Sequence, residues 1–149
     1  MRATFVTAVY IEVPPTVVCA AIADLGSWKA WMPDLVAIEK LTPGPMGPGA
    51  EWRETRRISG SDAPEQFRVT RWEPPRRIDM QAGATRRLTY EFVPERTGTN
   101  VELVGEVRMS GLRGLFVRFL TGPIKRASHR DLEALKAHLE SPWPADTRR

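Results

Sequence analysis

The segment Leu112–Glu140, which reads LRGLFVRFLTGPIKRASHRDLEALKAHLE, decides the fold of this chain. Its large apolar residues recur at the three- and four-residue spacing of an amphipathic helix: Leu112, Leu115, Phe116, Phe119, Leu120, Ile124, Leu132, Leu135 and Leu139. A helix of this length cannot bury its apolar stripe alone. We therefore expect the preceding chain to supply a concave sheet, and a sheet curved around a helix can leave a cavity for a small molecule.

A glycine and a proline interrupt the long helix at Gly122-Pro123. The apolar stripe changes phase there, and proline lacks the backbone N–H that continues a helix. We predict two helical segments, Leu112–Leu120 and Ile124–Leu139, joined by a kink. Two interpretations stay open: the helix bends to follow the sheet, or the kink is a hinge beside the cavity.

Strand-like segments fill most of the chain before this helix. They alternate apolar and polar residues, and turns rich in glycine and proline separate them. Two short helices are predicted after the first strand, at Thr16–Leu25 and Trp28–Met32. The short connections favour antiparallel hairpins, so the predicted class is α+β. Seven strands are expected: Phe5–Val13, Leu35–Leu41, Glu51–Ser59, Glu65–Glu73, Arg77–Gln81, Arg86–Pro94 and Asn100–Met109.

The length and composition are typical of one globular domain. The chain has 149 residues, of which 42% are apolar and 27% are charged, and this is enough for a substantial core. We predict a single domain over residues 1–141. Pro142 and Pro144 follow the last helix closely, so residues 142–149 are expected to form a loose tail.

The charge and hydropathy patterns exclude several classes of partner. The net charge is +4, but the 18 Arg and 4 Lys residues are spread along the chain rather than clustered in one run. We therefore expect no specific nucleic-acid partner. No stretch approaches the ~20 apolar residues of a transmembrane segment. Glu12 and Pro14-Pro15 interrupt the one candidate signal peptide, which favours a cytoplasmic location.

The residues that most often bind metals or form covalent intermediates show no functional pattern. His129 and His138 lie nine positions apart and form no ligand motif, so we interpret both as surface residues and expect no metal. Gly111 and Gly114 do not belong to a phosphate-binding loop. The single cysteine, Cys19, permits no intrachain disulfide and lies in an apolar run typical of a core position. We expect no cofactor.

A charged pair on the third strand is the clearest candidate for a site. If Trp52 faces the interior, then Glu54 and Arg56 share its face, because side chains alternate along a strand. An ion pair in an apolar cavity needs a partner or a ligand. Arg56 could donate to a carboxylate or phenolate, and Glu54 could act as a base. Two alternatives stay open: a cross-strand ion pair at the cavity mouth, or a register slip that exposes both residues.

Aromatic and apolar residues complete the predicted site. The cluster at Trp28–Met32 would sit beside the opening of the sheet, either as a wedge in the core or as a ligand contact. Tyr90 could bond a ligand or a protein acceptor. Phe67 and Trp72 are predicted to lie on opposite faces of their strand. The full predicted ligand-binding set is Trp28, Trp31, Met32, Trp52, Glu54, Arg56, Phe67, Tyr90, Phe116, Phe119 and Leu120, and the candidates for catalysis are Glu54, Arg56 and Tyr90.

The order of motifs resembles the START-like (SRPBCC) superfamily, in its polyketide cyclase/dehydrase branch. The resemblance implies a helix-grip fold, in which a curved seven-stranded antiparallel sheet encloses the C-terminal helix and leaves a ligand cavity. It leaves the ligand open, because the superfamily includes lipid carriers, hormone receptors and cyclases. The matching motifs are Val13-Pro14-Pro15, Trp28-Lys29-Ala30-Trp31-Met32-Pro33, the turn Gly44–Gly49 into Trp52, Phe67–Arg77 with Glu73-Pro74-Pro75, Gly98-Thr99, and Leu132–Lys136.

Three functions are compatible with these observations. The leading hypothesis is a monomer or homodimer that binds an apolar or aromatic small molecule, lipid-like or polyketide-like, in a cavity above about 300 Å³. The first alternative is a cofactor-free cyclase, dehydratase or aromatase, in which polar groups of the cavity assist proton transfer. The second is a module that contacts a protein or membrane through a basic face formed by Arg76, Arg77, Arg86 and Arg87.

Overall fold

A seven-stranded antiparallel sheet forms the larger part of the fold. The computed structural model describes residues 1–141, and the predicted tail 142–149 lies outside them. The strands are β1 (Arg2–Ile11), β2 (Leu35–Lys40), β3 (Glu51–Ile58), β4 (Ser61–Glu73), β5 (Arg77–Ala82), β6 (Arg86–Glu95) and β7 (Gly98–Arg108). The helices are α1 (Pro15–Ala23), α2 (Trp28–Trp31) and α3 (Val117–Glu140), with 3₁₀ turns at Leu25–Ser27 and Gly111–Phe116.

The strand order β1-β7-β6-β5-β4-β3-β2 explains how the sheet encloses the last helix. From β2 to β7 each strand pairs with the next along the chain, and β7 then pairs with β1. α1 and α2 occupy the connection between β1 and β2, which lie at opposite edges. α3 follows β7 and packs mainly against β1. The architecture is the predicted α+β helix-grip arrangement.

A close approach between two strands shows how the core is packed. Phe5 on β1 lies directly opposite Gly105 on β7. A side chain at position 105 would collide with the Phe5 ring, so the glycine makes room for an aromatic side chain that is only 5% exposed. Such pairs let large rings fill a sheet interior without strain.

An irregularity in β4 changes the face to which one tryptophan belongs. The pairing of β4 with β5 shifts between Val69 and Arg71, so Val69 lies opposite Met80 but Trp72 lies opposite Ile78. Ile78 is fully buried, and Trp72 packs against the core. The prediction that Trp72 faces away from Phe67 is therefore wrong, because a β-bulge inserts one residue and reverses the alternation beyond it.

The C-terminal helical segment is divided at a different place from the one predicted. Gly111–Phe116 forms a 3₁₀ turn, and α3 then runs from Val117 to Glu140 with Pro123 inside it. The predicted division at Gly122-Pro123 is wrong, because the helix continues across the proline. Burial of Leu132 and Leu135, which are 3% and 2% exposed, stabilises α3 and offsets the one backbone bond that proline removes.

Among residues 1–141, no helix combines the length and the apolar content needed to cross a bilayer.

Candidate functional site: a cavity between the sheet and the last helix

A cavity of about 280 Å³ lies between the concave face of the sheet and α3. This volume is just below the roughly 300–1,000 Å³ of typical ligand pockets and below the predicted size. Ala127, Asp131, Leu132 and Leu135 of α3 close one side of it. Eight residues of the predicted set line it: Trp28, Trp31, Met32, Trp52, Glu54, Arg56, Phe67 and Tyr90.

Three residues of the predicted set lie outside this cavity. Phe116, Phe119 and Leu120 do not line it and are 62%, 66% and 38% exposed. The prediction that they contact a ligand in the cavity is wrong. The physical reason is that the cavity borders α3 only from Ala127 onward, while helical periodicity marks an apolar face without showing which part of that face is covered.

Aromatic rings form a continuous wall on one side of the cavity. The rings of Trp52 and Phe67 stack with centroids 5.4 Å apart and an angle of 7° between their planes. Trp28 meets Trp52 edge to face at 5.6 Å and lies 6.2 Å from Trp31. These are favourable aromatic geometries. The wall is a rigid apolar surface suited to a flat or apolar ligand.

A charged triad, Glu54, Arg56 and Asp131, joins the sheet to α3 inside the cavity. Arg56 Nε donates to Glu54 Oε2 at 2.9 Å. Arg56 Nη1 and Nη2 donate to the two carboxylate oxygens of Asp131 at 3.0 and 2.9 Å. Trp52 Nε1 donates to Glu54 Oε1 at 3.4 Å. The structure thus places Glu54 and Arg56 inward. Arg56 pairs with Glu54 along β3 and with Asp131 on α3, so the ion pair does not join two strands.

The triad holds one positive charge against two carboxyl groups. Burial raises the pKa of Glu54 above its ordinary value, and Arg56 only partly offsets this effect. Burial likewise raises the pKa of Asp131 against the opposing influence of Arg56. For Arg56, burial acts to lower the pKa, but the two carboxylates outweigh burial and raise it. The triad can therefore accept a proton on a carboxyl group while Arg56 stays charged.

Asp131 is the site residue that the sequence analysis missed. It lies seven residues after Ile124 and four before the buried Leu135, so helical spacing puts a carboxylate on the apolar face of α3. A carboxylate on the apolar face of a helix was the signal from which Asp131 could have been predicted. Its partner could not be identified in the same way, because Arg56 is 75 residues away along the chain.

A second polar set in the cavity has donors without protein acceptors. Arg86 Nη2 donates to Glu65, but Arg86 Nε is buried without a partner, and so is Trp31 Nε1. The Tyr90 hydroxyl makes no hydrogen bond within residues 1–141, and burial raises its pKa, as do the nearby Asp131 and Glu54 charges. We call Trp31, Arg86 and Tyr90 the open donors. Buried polar groups normally have partners, so this set is suited to ligand acceptors.

The predicted basic face does not form. The β5–β6 register puts Arg77 opposite Glu91 and Arg86 opposite Ala82, so the arginine pairs lie at opposite ends of the hairpin. Arg76 forms an ion pair with Glu73, and both Nε and Nη2 of Arg77 donate to Asp79. Arg86 lines the cavity, and of these four arginines only Arg87 is exposed without an ion pair within residues 1–141. The hairpin prediction was wrong because it ignored register.

The cysteine and the histidines lie where the sequence analysis expected them. Cys19 is buried, and burial raises its pKa to about 12, which leaves the thiol protonated. His129 and His138 are exposed; His129 Nδ1 bonds the Thr7 hydroxyl at 2.7 Å, and His138 stacks on Trp31. Within residues 1–141, no cluster of three or more His, Cys, Asp or Glu side chains could hold a metal ion.

The sequence of residues 2–140 matches the model of the polyketide cyclase/dehydrase and lipid transport family. The chain belongs to this family. The match spans every strand and helix described above, and it agrees with the START-like resemblance. No curated protein matches the chain at a significant level.

Solved structures share the fold of this family member. Ara h 8.0201 is 16% identical, with a TM-score of 0.79 over 95% of this chain and 100% of that one. The Zhui aromatase/cyclase from Streptomyces sp. R1128 is 18% identical, with a TM-score of 0.78 over 98% of both chains. The di-domain ARO/CYC protein BexL, from the BE-7585A biosynthetic pathway, is 18% identical, with a TM-score of 0.79 over 95% of this chain and 51% of that one. At these identities the likeness concerns the fold.

Proposed function

We propose that this protein binds a small molecule with an apolar or aromatic body and at least one oxygen acceptor. The observation that carries the proposal is the combination, in one cavity, of an aromatic wall and the open donors Trp31, Arg86 and Tyr90. Ligand pockets are mostly apolar, with a few polar groups that orient the ligand.

The aromatic wall supports the apolar part of this proposal. Trp28, Trp52 and Phe67 face the cavity with their rings packed against one another, so a ligand ring would meet preorganised surfaces. Removing apolar area from water stabilises a complex by roughly 25 cal/mol per Å² before the costs of association are counted. Polyketide-like and lipid-like molecules both meet this requirement.

The open donors support the oxygen-bearing part. A buried N–H without a partner costs roughly 1–3 kcal/mol, and a ligand oxygen that accepts from it recovers much of that cost. Arg86 adds a positive charge, which strengthens a bond to a carbonyl, phenolate or carboxylate. In the charged triad, Arg56 already donates to both carboxylates, so selectivity for oxygen is expected to reside in the open donors.

Two measurements test this proposal. Native mass spectrometry of freshly purified protein should detect a bound small molecule. Competition against 1-anilinonaphthalene-8-sulfonate should then show that 2-naphthol binds at least several-fold more tightly than naphthalene, because the two differ only in a hydroxyl group. The absence of saturable binding for either compound, or equal affinity for both, would contradict the proposal.

Neighbouring arginines provide a matched pair of variants. Arg86→Met removes a donor from the cavity and should abolish most of the preference for 2-naphthol. Arg87→Met removes the same charge from the exposed face of the same strand and should leave the preference unchanged. Circular dichroism establishes that both variants are folded. If both variants lose affinity equally, the effect is one of net charge and the open donors have no role.

A cofactor-free cyclase, dehydratase or aromatase is a second candidate. It is supported by the raised pKa values of Glu54 and Asp131 in the cavity and by the family to which the chain belongs. Loss of water from a β-hydroxy ketone needs a base that removes the proton on the α-carbon and an acid that protonates the departing hydroxyl. Two carboxyl groups that bridge Arg56 could supply these roles. Release of an added ligand lighter by one water molecule would favour this candidate over simple binding.

A further inference from the structure

An exposed apolar surface lies at the start of the C-terminal helical segment. Leu112, Leu115, Phe116 and Phe119 are 81%, 56%, 62% and 66% exposed, and Leu120 is partly exposed. The Phe116 and Phe119 rings lie side by side, with centroids 6.4 Å apart. Single exposed apolar residues are common, but a contiguous cluster of five usually marks an interaction site.

The charge around this surface has a single sign. Between Glu106 and Asp131 the sequence contains no acidic residue and six basic ones: Arg108, Arg113, Arg118, Lys125, Arg126 and Arg130. Arg108 forms an ion pair with Glu106, and Arg130 with Asp34. The other four form no ion pair within residues 1–141. We call the five apolar residues together with these four cations the basic apolar patch.

The geometry points to the surface of an anionic lipid bilayer as the partner of the basic apolar patch. Helical segments that lie in a membrane interface combine large apolar side chains with lysine and arginine. Each cation near an anionic leaflet adds to binding, and the apolar side chains insert among the lipids. Arg118, whose guanidinium lies 5.7 Å from the centre of the Phe119 ring, shows how closely the two kinds of group are interleaved.

A second copy of this chain fits the same surface less well. A symmetric dimer brings the same patch of both protomers together, so Arg113, Arg118, Lys125 and Arg126 of each would face the same cations of the other. With no acidic residue between positions 107 and 130, the segment itself offers no countercharge. An anionic bilayer supplies that countercharge and an apolar interior together.

The position of the patch gives membrane docking a consequence for the cavity. Leu120 precedes Ala127, which lines the cavity, by seven residues, so both lie on the same side of α3, about 10 Å apart along its axis. Docking of the patch would hold this side of the cavity close to the lipid, where apolar ligands concentrate.

Vesicle sedimentation tests the inference without reference to any ligand. The full chain is mixed with vesicles of phosphatidylcholine alone or of phosphatidylcholine with phosphatidylglycerol. We expect at least about tenfold stronger partitioning onto the anionic vesicles, reduced by added salt. The variant Phe116→Ser/Phe119→Ser should lose about tenfold or more, and Arg113→Gln/Arg118→Gln several-fold. Failure to bind anionic vesicles overturns the inference, whatever the cavity binds.

Matched controls separate the patch from general effects of charge and oligomerisation. Arg68→Gln/Arg87→Gln removes two charges from the outer face of the sheet and should change partitioning less than twofold. An equal loss in this control overturns the inference. Analytical ultracentrifugation tests whether a second copy of the chain occupies the patch instead. If the wild type is a dimer that does not bind vesicles, and Phe116→Ser/Phe119→Ser converts it to a monomer, the patch is assigned to a second copy. Binding of 2-naphthol should be unchanged in every patch variant, so the two proposals fail independently.

Discussion

The cavity contains two polar sets that differ in how completely the protein satisfies them. In the charged triad, Arg56 donates three hydrogen bonds, one to Glu54 and two to Asp131. In the open donors, Trp31 Nε1 and Arg86 Nε are buried without an acceptor. The difference indicates separate roles. The triad holds α3 against the sheet, while the open donors stay available to a ligand.

The two sets also differ in what their loss should cost. Removing the cation from a largely buried ion pair leaves carboxylates without the partner that offset the cost of burying them. Removing a donor that has no partner takes away a group that was already unsatisfied, which is close to neutral for stability. Substitutions should therefore separate a structural set from a binding set by whether unfolding or ligand affinity changes.

The largest effect is expected for Arg56→Met. Without the guanidinium, the buried Glu54 and the partly buried Asp131 both lose their main partner, and we expect a loss of roughly 3 kcal/mol in the free energy of unfolding. Urea denaturation measures it. The control is Arg57→Met on the opposite face of β3, where the ion pair with Asp62 is exposed and worth about 0–1 kcal/mol. Similar losses in both variants would show that the triad does not hold the helix.

A smaller, pH-dependent effect is expected for Glu54→Gln. The folded-state pKa of Glu54 is raised above the ordinary value of 4.5, so the native state binds its proton more tightly than the unfolded state. The stabilisation from this protonation is complete below that value and is lost as the pH rises through the folded-state pKa. Wild type should therefore lose stability relative to Glu54→Gln over this interval, by at most about 1.4 kcal/mol per pH unit.

Urea denaturation across a pH series measures this difference. Glu39→Gln is the control, because Glu39 is an exposed carboxylate on β2 whose side chain is 70% accessible, and it should track wild type at every pH. A flat difference between wild type and Glu54→Gln would show that folding does not raise the pKa of Glu54.

The smallest effect on stability is expected for Trp31→Phe. The substitution removes an indole N–H that has no partner within residues 1–141. Trp28→Phe removes the same atoms but breaks a bond from Nε1 to the Ala21 carbonyl at 3.2 Å, so it should be more destabilising by about 1 kcal/mol. Thermal unfolding measures both. Affinity for 2-naphthol should fall several-fold for Trp31→Phe, and equal stability losses would indicate that Trp31 Nε1 is satisfied in solution.

Much of the fold and two of the three residues of the charged triad were predictable, because both depend on local periodicity. The alternation along β3 placed Glu54 and Arg56 on the face of Trp52, and all three line the cavity. The same rule failed for Trp72, since the bulge after Val69 reverses the alternation. A bulge arises from the pairing of two strands, so the β4 sequence alone did not reveal it.

The two ends of α3 show the same limit of prediction from local periodicity. Helical spacing gave an apolar face to both parts of the last segment, yet Phe119 in the first part is 66% exposed, whereas Leu132 and Leu135 in the second are buried. Periodicity identifies an apolar face, whereas burial depends on where the sheet ends. The exposed residues around Phe119 indicated an interaction surface only when the structure placed them outside the cavity.

The sequence by itself determined the order of the elements, the antiparallel class, the aromatic cluster at Trp28–Met32 and the shared face of Trp52, Glu54 and Arg56 on β3. These follow from backbone and side-chain preferences that act over a few residues. The tertiary structure alone decided that Asp131 completes the triad, that Arg86 enters the cavity and that the start of the last helical segment is uncovered. Each of these depends on contacts between residues that are distant in the chain, which the docking of α3 and the strand registers bring together.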